Sequence, residues 1–251
     1  NFISRTGKTA GGSAAFSARL DHEDYRVDFE YGGSLGDSMY FHVGGHWQQG
    51  GDYRDFGFDA VKGGQVRANL TREFDRGFVR VNAKWLDKAE ATYMPQAAGL
   101  TGNRVTDTIA GFSASQDSLH SSSIRKGTDV DGENTVNHYD LSDGIRTRIK
   151  SLGAQANLDL GAGVNLDARA RYQDISGYFN SPFTHRVGEA DTILASTYNG
   201  SPAFFFNGPN TGLPVTSDSL RATTGNPLIS EVAYFNTDLN DLGNFASEFR
   251  I

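Results

Sequence analysis

With 251 residues, a net charge of −7 and no cysteine, the chain is long enough for a large core or a long run of hairpins, but it can hold neither a disulfide framework nor a thiolate metal site. The acidic balance argues against a nucleic-acid partner, which calls for a basic face. A mean hydropathy of −0.46 and the lack of any run of about 18 apolar residues exclude a transmembrane helix. They leave a transmembrane barrel open, because a barrel strand needs only every second residue apolar over about 10 residues.

The chain opens at Asn1 with no methionine and no basic leader, so it reads as a processed end or a fragment boundary. Residues 1–12 are polar and glycine-rich and read as a lead-in. Ala14, Phe16, Ala18 and Leu20 then alternate with small polar positions, which predicts a first strand. After the polar turn Asp21–Asp24, Tyr25, Val27, Phe29 and Tyr31 alternate with Arg26, Asp28 and Glu30 in a second strand. The glycine-rich stretch 32–38 is a turn by composition, and Met39, Phe41, Val43 and Trp47 mark a third strand.

Residues 48–63 read as a medium loop. The hairpin that follows has the cleanest pattern: Val66, Ala68, Leu70 and Val79, Val81, Ala83, Trp85 on one face, with Arg67, Asn69, Thr71 and Arg80, Asn82, Lys84 on the other. Residues 95–145 lack sustained periodicity, and so long a loop is usually functional. Leu152 to Leu160 and Val164 to Tyr172 alternate across the minimal turn 161–163. Residues 177–244 read as a second long irregular segment, and 245–251 as the opening of one more strand.

The connections at 32–38, 74–77 and 161–163 are short, whereas those at 48–63, 95–145 and 177–244 are long. Only the first, at Asp21–Asp24, departs from that alternation. Short turns at one rim and long loops at the other suit an antiparallel transmembrane β-barrel. Tyr25, Tyr31, Trp47, Phe78, Trp85 and Tyr172 stand near strand ends, where interfacial aromatics belong. The polar face carries Arg26, Asp28, Glu30, Arg67, Arg80, Lys84, Asp167, Arg169 and Arg171. These charges need water or partners, so they suit a wide wet lumen or a plugged one. The competing reading is a soluble all-β module whose charged face is simply solvated.

The stretch Asn1-Phe2-Ile3-Ser4-Arg5-Thr6-Gly7 resembles the end of the plug domain of TonB-dependent outer-membrane receptors. Tyr25-Arg-Val-Asp-Phe-Glu-Tyr-Gly-Gly-Ser-Leu-Gly-Asp37 and Phe41-His-Val-Gly-Gly-His-Trp-Gln-Gln-Gly50 are similar to their first barrel strands. The resemblance implies a plug-to-barrel junction at 1–12 and the N-terminal portion of a 22-stranded barrel at 13–251, with seven strands and a partial eighth. It implies location in the bacterial outer membrane among lipid and lipopolysaccharide, and contact with the TonB complex through a plug that this chain does not include. The function it implies is active uptake of a scarce ligand of the siderophore, cobalamin or oligosaccharide class, without chemistry on that ligand. A passive porin shares every strand feature and is the alternative.

Candidate ligand contacts lie in the long loops. Phe204, Phe205 and Phe206 form an aromatic run in polar surroundings that offers stacking surface, although packing beneath neighbouring loops is the simpler expectation. Tyr53, Arg54 and Phe56, and Arg125, Lys126, His138 and Tyr139, combine charge with aromatics and suit an anionic ligand. Residues 129–134 (Asp-Val-Asp-Gly-Glu-Asn) place glycine at the fourth position instead of the sixth, so they match a calcium loop poorly. No nucleophile elbow, phosphate loop, zinc helix motif or dinucleotide fingerprint is present. No enzymatic activity, cofactor or metal site is expected.

Overall fold

The computed structural model describes residues 5–106 and 108–251; Asn1–Ser4, which begin the junction motif above, lie outside the described residues. The chain is all-β around one open antiparallel sheet. Its first five strands, β1 (Gly11–Ala18), β2 (Asp24–Ser34), β3 (Met39–Gly50), β4 (Val61–Phe74) and β5 (Gly77–Glu90), pair in sequence as a meander. Three small hairpins follow: β6 (Gly99–Thr101) with β7 (Arg104–Thr106), β8 (Thr108–Ile109) with β9 (Phe112–Ser113), and β10 (Lys126–Val130) with β11 (Val136–Asp140). The sheet resumes with β12 (Ile145–Gly161) against β5 and β13 (Val164–Glu189) against β12. Helices α1 (Ala190–Thr197) and α2 (Ser217–Thr224) intervene before β14 (Leu228–Leu239) and β15 (Asn244–Arg250).

Both β14 and β15 pair with β13. Gly177 to Glu189 pair with β14 and Asp167 to Gln173 with β15, so the two occupy one position at the sheet edge, separated by a local irregularity around Asp241. The eighth place is therefore filled along its length, and the partial eighth strand expected at 245–251 is the lower half of a longer one.

Two segments read as irregular contain sheet. Within 177–244, β13 runs on to Glu189 and β14 lies entirely inside the segment. Its pattern is hidden because a buried proline, Pro182, and a register shift between Thr184 and Arg186 interrupt the period of two. Within 95–145, the hairpins and a 3-10 turn at Leu141–Asp143 give the loop its own structure. Strand β12 starts at Ile145, a start hidden in the sequence because the alternation there is reversed in phase, with Ile145 and Ile149 on the charged face and Arg146, Arg148 and Lys150 on the apolar one. The loop expected at 48–63 shrinks to 51–60.

Register fixes which residues share a face. Tyr25, Val27, Phe29, Tyr31, Phe41, Val43, Val66, Leu70, Val79, Val81, Trp85, Leu152 and Tyr172 fall on one side of the sheet. Leu70 is 43% exposed, Val81 45% and Tyr172 58%. No second layer covers them: among the described residues, the buried hydrophobics are Phe56, Ala60, Ala89, Ala91, Leu141, Ala190, Ile193 and Leu220, all in the loops or at the adjoining end of β5. Phe78 is placed differently from the expected aromatic set. It shares the charged face with Arg80, whose guanidinium stands 4.9 Å from its ring.

The connections divide by end. At one end lie 35–38, 75–76 and 162–163; at the other lie 19–23, 51–60, 91–144 and 190–227. The first connection is thus short although it stands at the long-loop end. It is tightened by Asp24, which accepts hydrogen bonds from Gln48 at 3.0 Å and pairs with Arg19 at 3.0 Å.

Candidate functional site

The charged face is concave. One cavity of about 1050 Å³ is lined from Arg26 on β2 through Arg67 on β4 and Lys84 on β5 to Arg169 on β13 and Glu248 on β15. Arg26, Asp28, Glu30, Arg67, Arg80, Lys84, Asp167, Arg169 and Arg171 all lie on this side by register. The period of two put them there, since each occupies the alternate position to an apolar neighbour. His42, His46, Asn69 and Gln155 join the lining. The first two were legible as the polar partners of Phe41 and Trp47, but a histidine between aromatics does not announce its face.

Residues 5–8 cross this concave face. Arg5 pairs with Glu30, and its carbonyl accepts a hydrogen bond from Asn69 Nδ2 at 2.8 Å. Lys8 pairs with Glu73 at 2.8 Å. Between them Gly7 (φ 82°) passes so close that a Cβ there would stand 1.8 Å from the Phe41 carbonyl oxygen. Only glycine fits this left-handed, crowded position. The lead-in therefore enters the sheet from its polar side.

The long loops form a cap with its own core. Phe56, Ala60 and Ala91 are buried together, with Phe58 and Tyr93 against them. His120 completes the cluster, its ring centroid 4.5 Å from that of Phe56 and 5.9 Å from that of Phe58. Neither His120 ring nitrogen has a hydrogen-bond partner, and burial depresses its pKa to about 4. Burial likewise pushes the Tyr93 phenol well above its usual range.

The chain leaves the cap and re-enters the sheet at Gly144. Its φ is 44°, and a Cβ would stand 2.1 Å from the Glu90 carbonyl oxygen. The two helices cap each other: Asp191 N–H donates to Ser217 Oγ, and Ser217 N–H donates to Asp191 Oδ1, each at 3.2 Å. Thr216 and Ser219 add a reciprocal capping box at α2.

The loop candidates separate into used and free groups. Phe56 is a core residue and is 2% exposed. Arg54 lies over the Tyr93 ring at 4.6 Å, beside Tyr53, whose own ring meets Tyr93 at a tilt with centroids 5.2 Å apart. Arg125 makes two parallel hydrogen bonds to Asp140, at 3.0 and 3.1 Å. Burial alone would raise the Asp140 pKa, but hydrogen bonds from Arg125 and Ser142 outweigh it and hold the carboxyl at about 2. Tyr139 stacks on Tyr234 at 4.9 Å, and His138 meets Thr128 at 3.2 Å. Lys126 stands 3.9 Å from Asp140. Arg125, Lys126 and His138 thus brace the β10–β11 hairpin internally, and Tyr139 holds it against β14.

Phe204 and Phe206 stay exposed, at 56% and 84%, instead of packing beneath neighbouring loops, while Phe205 is half-buried. Backbone pairing of 203–205 with 212–215 holds them out. The Asp131 carboxylate accepts from the backbone of Glu133 and Thr135, so it caps the hairpin turn. Among the described residues, no three metal-binding side chains cluster.

Above Trp85 the outer face changes character. Asp87 accepts two hydrogen bonds from Arg146, at 2.8 and 3.0 Å, while Arg148 approaches it at 3.8 Å. Asp143 links Arg146 to Lys62, at 3.2 and 3.4 Å. Leu86 and Ile149 meanwhile turn to the concave side. The apolar band is thus bounded at the long-loop end by a charged network. Comparison of the chain with protein-family models, with curated proteins and with solved structures returned no match.

Proposed function

We propose that this chain is the N-terminal arc of a TonB-dependent outer-membrane transporter, an antiparallel barrel that takes up a scarce ligand bound by its long loops. The observation that carries the reading is the uncovered apolar band opposite a charged concave face. A soluble monomer rarely leaves so broad an apolar surface open, and lipid is the medium that would make it favourable. The charged network above Trp85 fits the level at which such a wall would leave the hydrocarbon, and the one-sided long loops fit the external end.

The course of residues 5–8 supports a transporter over a passive pore, since a chain arriving across the concave face suits a preceding domain housed inside the curve. On this reading the two free edges, β1 and β14–β15, require partner strands, because an unpaired backbone group in hydrocarbon costs several kcal/mol. The exposed Phe204 and Phe206 are the loop groups best placed to meet a ligand, of the siderophore, cobalamin or oligosaccharide class.

Cell fractionation tests the proposal. The protein should sediment with outer membranes, resist an alkaline carbonate wash and be released only by detergent. Release in soluble, folded form without detergent overturns it and favours a soluble all-β module.

A further inference from the structure

Cations on the concave face fall into two sets. Arg5, Lys8, Arg26, Lys88, Arg169 and Arg250 each pair with a carboxylate, Arg26 with Asp28 at 2.6 Å and Arg169 with Asp167 at 3.0 Å. Among the described residues, Arg67, Arg80, Lys84 and Arg171 have no carboxylate within ion-pairing distance. Arg67, Lys84 and Arg171 are neighbours, and Arg80 stands two rows further along. Arg67 is directly opposite Lys84 in the β4–β5 register, and Arg80 is four residues along the same strand. Arg171 lies across Gly153 from Asn82, one row away from Lys84.

Like charges placed directly opposite on neighbouring strands destabilise a sheet. A sequence that keeps such a conflict commonly does so at a functional position. The surroundings are built for hydrogen bonding and not for neutralisation. Arg80 is held by one bond from its Nε to Thr71 Oγ1 at 2.8 Å and by the Phe78 ring below it. Its remaining guanidinium donors are left for another acceptor, in the fixed fork that matches oxyanions. Asn82 stands between the charged rows, and Gly153 leaves the wall open beside Arg171. The cavity of about 1050 Å³ in front of them has room for a molecule larger than a single ion.

We propose that Arg67, Arg80, Lys84 and Arg171 form a binding strip for a small molecule carrying two or more oxyanion groups, carboxylate or phosphate. The strip gives the concave wall a preference for anions even though the chain as a whole is acidic. The inference goes beyond the uptake reading and stands on register and ion pairs alone. Failure of anion binding leaves the membrane reading intact, and a soluble protein in the fractionation test leaves the strip intact.

Titration calorimetry of the purified protein, in detergent if it needs it, tests the strip with three probes at low salt. Inorganic pyrophosphate represents phosphate, propane-1,2,3-tricarboxylate represents carboxylate, and a triglutamate peptide represents an acidic protein segment. Saturable binding of pyrophosphate or the tricarboxylate is expected; the tighter of the two identifies the group. Charge-assisted hydrogen bonds predict a loss of about tenfold or more for Lys84→Gln. The triple variant R67Q/K84Q/R171Q should show no binding, and Arg76→Gln, in the turn 75–76, should bind as the native protein does. If the triple variant does not fold, Lys84→Gln alone decides. Three results overturn the proposal: no saturable binding of either small anion, unchanged affinity in Lys84→Gln, or binding of the peptide alone.

Discussion

The cap and the sheet of this protein are built on opposite plans. In the cap, Phe56, Ala60, Ala91, Leu141, Ile193 and Leu220 are buried, and polar residues such as Glu133 and Asp218 face outward. In the sheet, Val81, Leu70, Tyr172 and their row-mates are exposed on one face, and the charges gather on the concave one. The cap follows the rule for a protein folded in water, where apolar area is removed from solvent. The sheet breaks that rule across all its strands, and it does so with regular alternation. A defect in packing would be local; a pattern kept from Phe16 to Phe249 specifies a surface. The difference teaches that two opposite burial patterns are written into one chain, and that their boundary falls near Trp85, where one face of the sheet turns from apolar to charged.

Substitutions on either side of that boundary separate the two plans. The largest effect is expected in the cap. Phe56→Ala removes the side chain at the centre of its core and should destabilise the cap by about 3–5 kcal/mol. Limited proteolysis should then cut within 91–144 while the sheet stays protected; equal loss of both would mean that the two regions fold as one unit. Next comes the band itself. Val81→Arg should cost about 2–4 kcal/mol in lipid vesicles by urea titration, the price of a lipid-facing cation. Asn165→Arg, exposed on the concave side near Asp167, should stay within about 0.5 kcal/mol. Equal, small effects at both positions would indicate water on both faces.

The smallest effect is an acid response of the cap. His120 is held neutral with a pKa of about 4 against an ordinary 6.5. Between those values the opened cap binds a proton and the closed one does not, so stability is present in full above pH 6.5 and falls as the pH drops toward 4. Protection factors in 91–144, each taken relative to the intrinsic exchange rate at its own pH, should therefore fall at pH 5 relative to pH 7.5 in the native protein. His120→Phe should flatten that dependence. A native protein equally protected at both pH values would mean that His120 takes up its proton without opening the cap.

Legibility in the sequence followed the same divide. Where the two faces differ in polarity, period two is clean, and the register joining Arg67 to Lys84 and Val66 to Trp85 follows from alternation together with the short turn 74–77. Beyond the boundary that signal reverses or disappears. Residues 145–150 alternate in the opposite phase, and Pro182 with the shift at Thr184–Arg186 broke up the upper part of β13. The concave charges could be gathered as a face, but which of them were paired could not. Arg26 with Asp28 and Arg169 with Asp167 are two residues apart and could be guessed, whereas Lys8 with Glu73 joins residues 65 apart. The loop candidates suffered most: Arg54, Phe56, Arg125 and Tyr139 are engaged in holding the cap, a role that composition does not distinguish from ligand binding.

By itself the sequence determined the two-faced strands, their order as hairpins and the end at which the long connections gather. These depend on local alternation and turn chemistry, which act between residues close in the chain. Tertiary structure alone decided that β14 and β15 share one position, that the lead-in crosses the polar face at Gly7, and that Arg67, Arg80, Lys84 and Arg171 have no ion-pairing carboxylate among the described residues. Each of these depends on which distant segments meet, and a charge's partner is set by distance in space, for which separation along the chain is no guide.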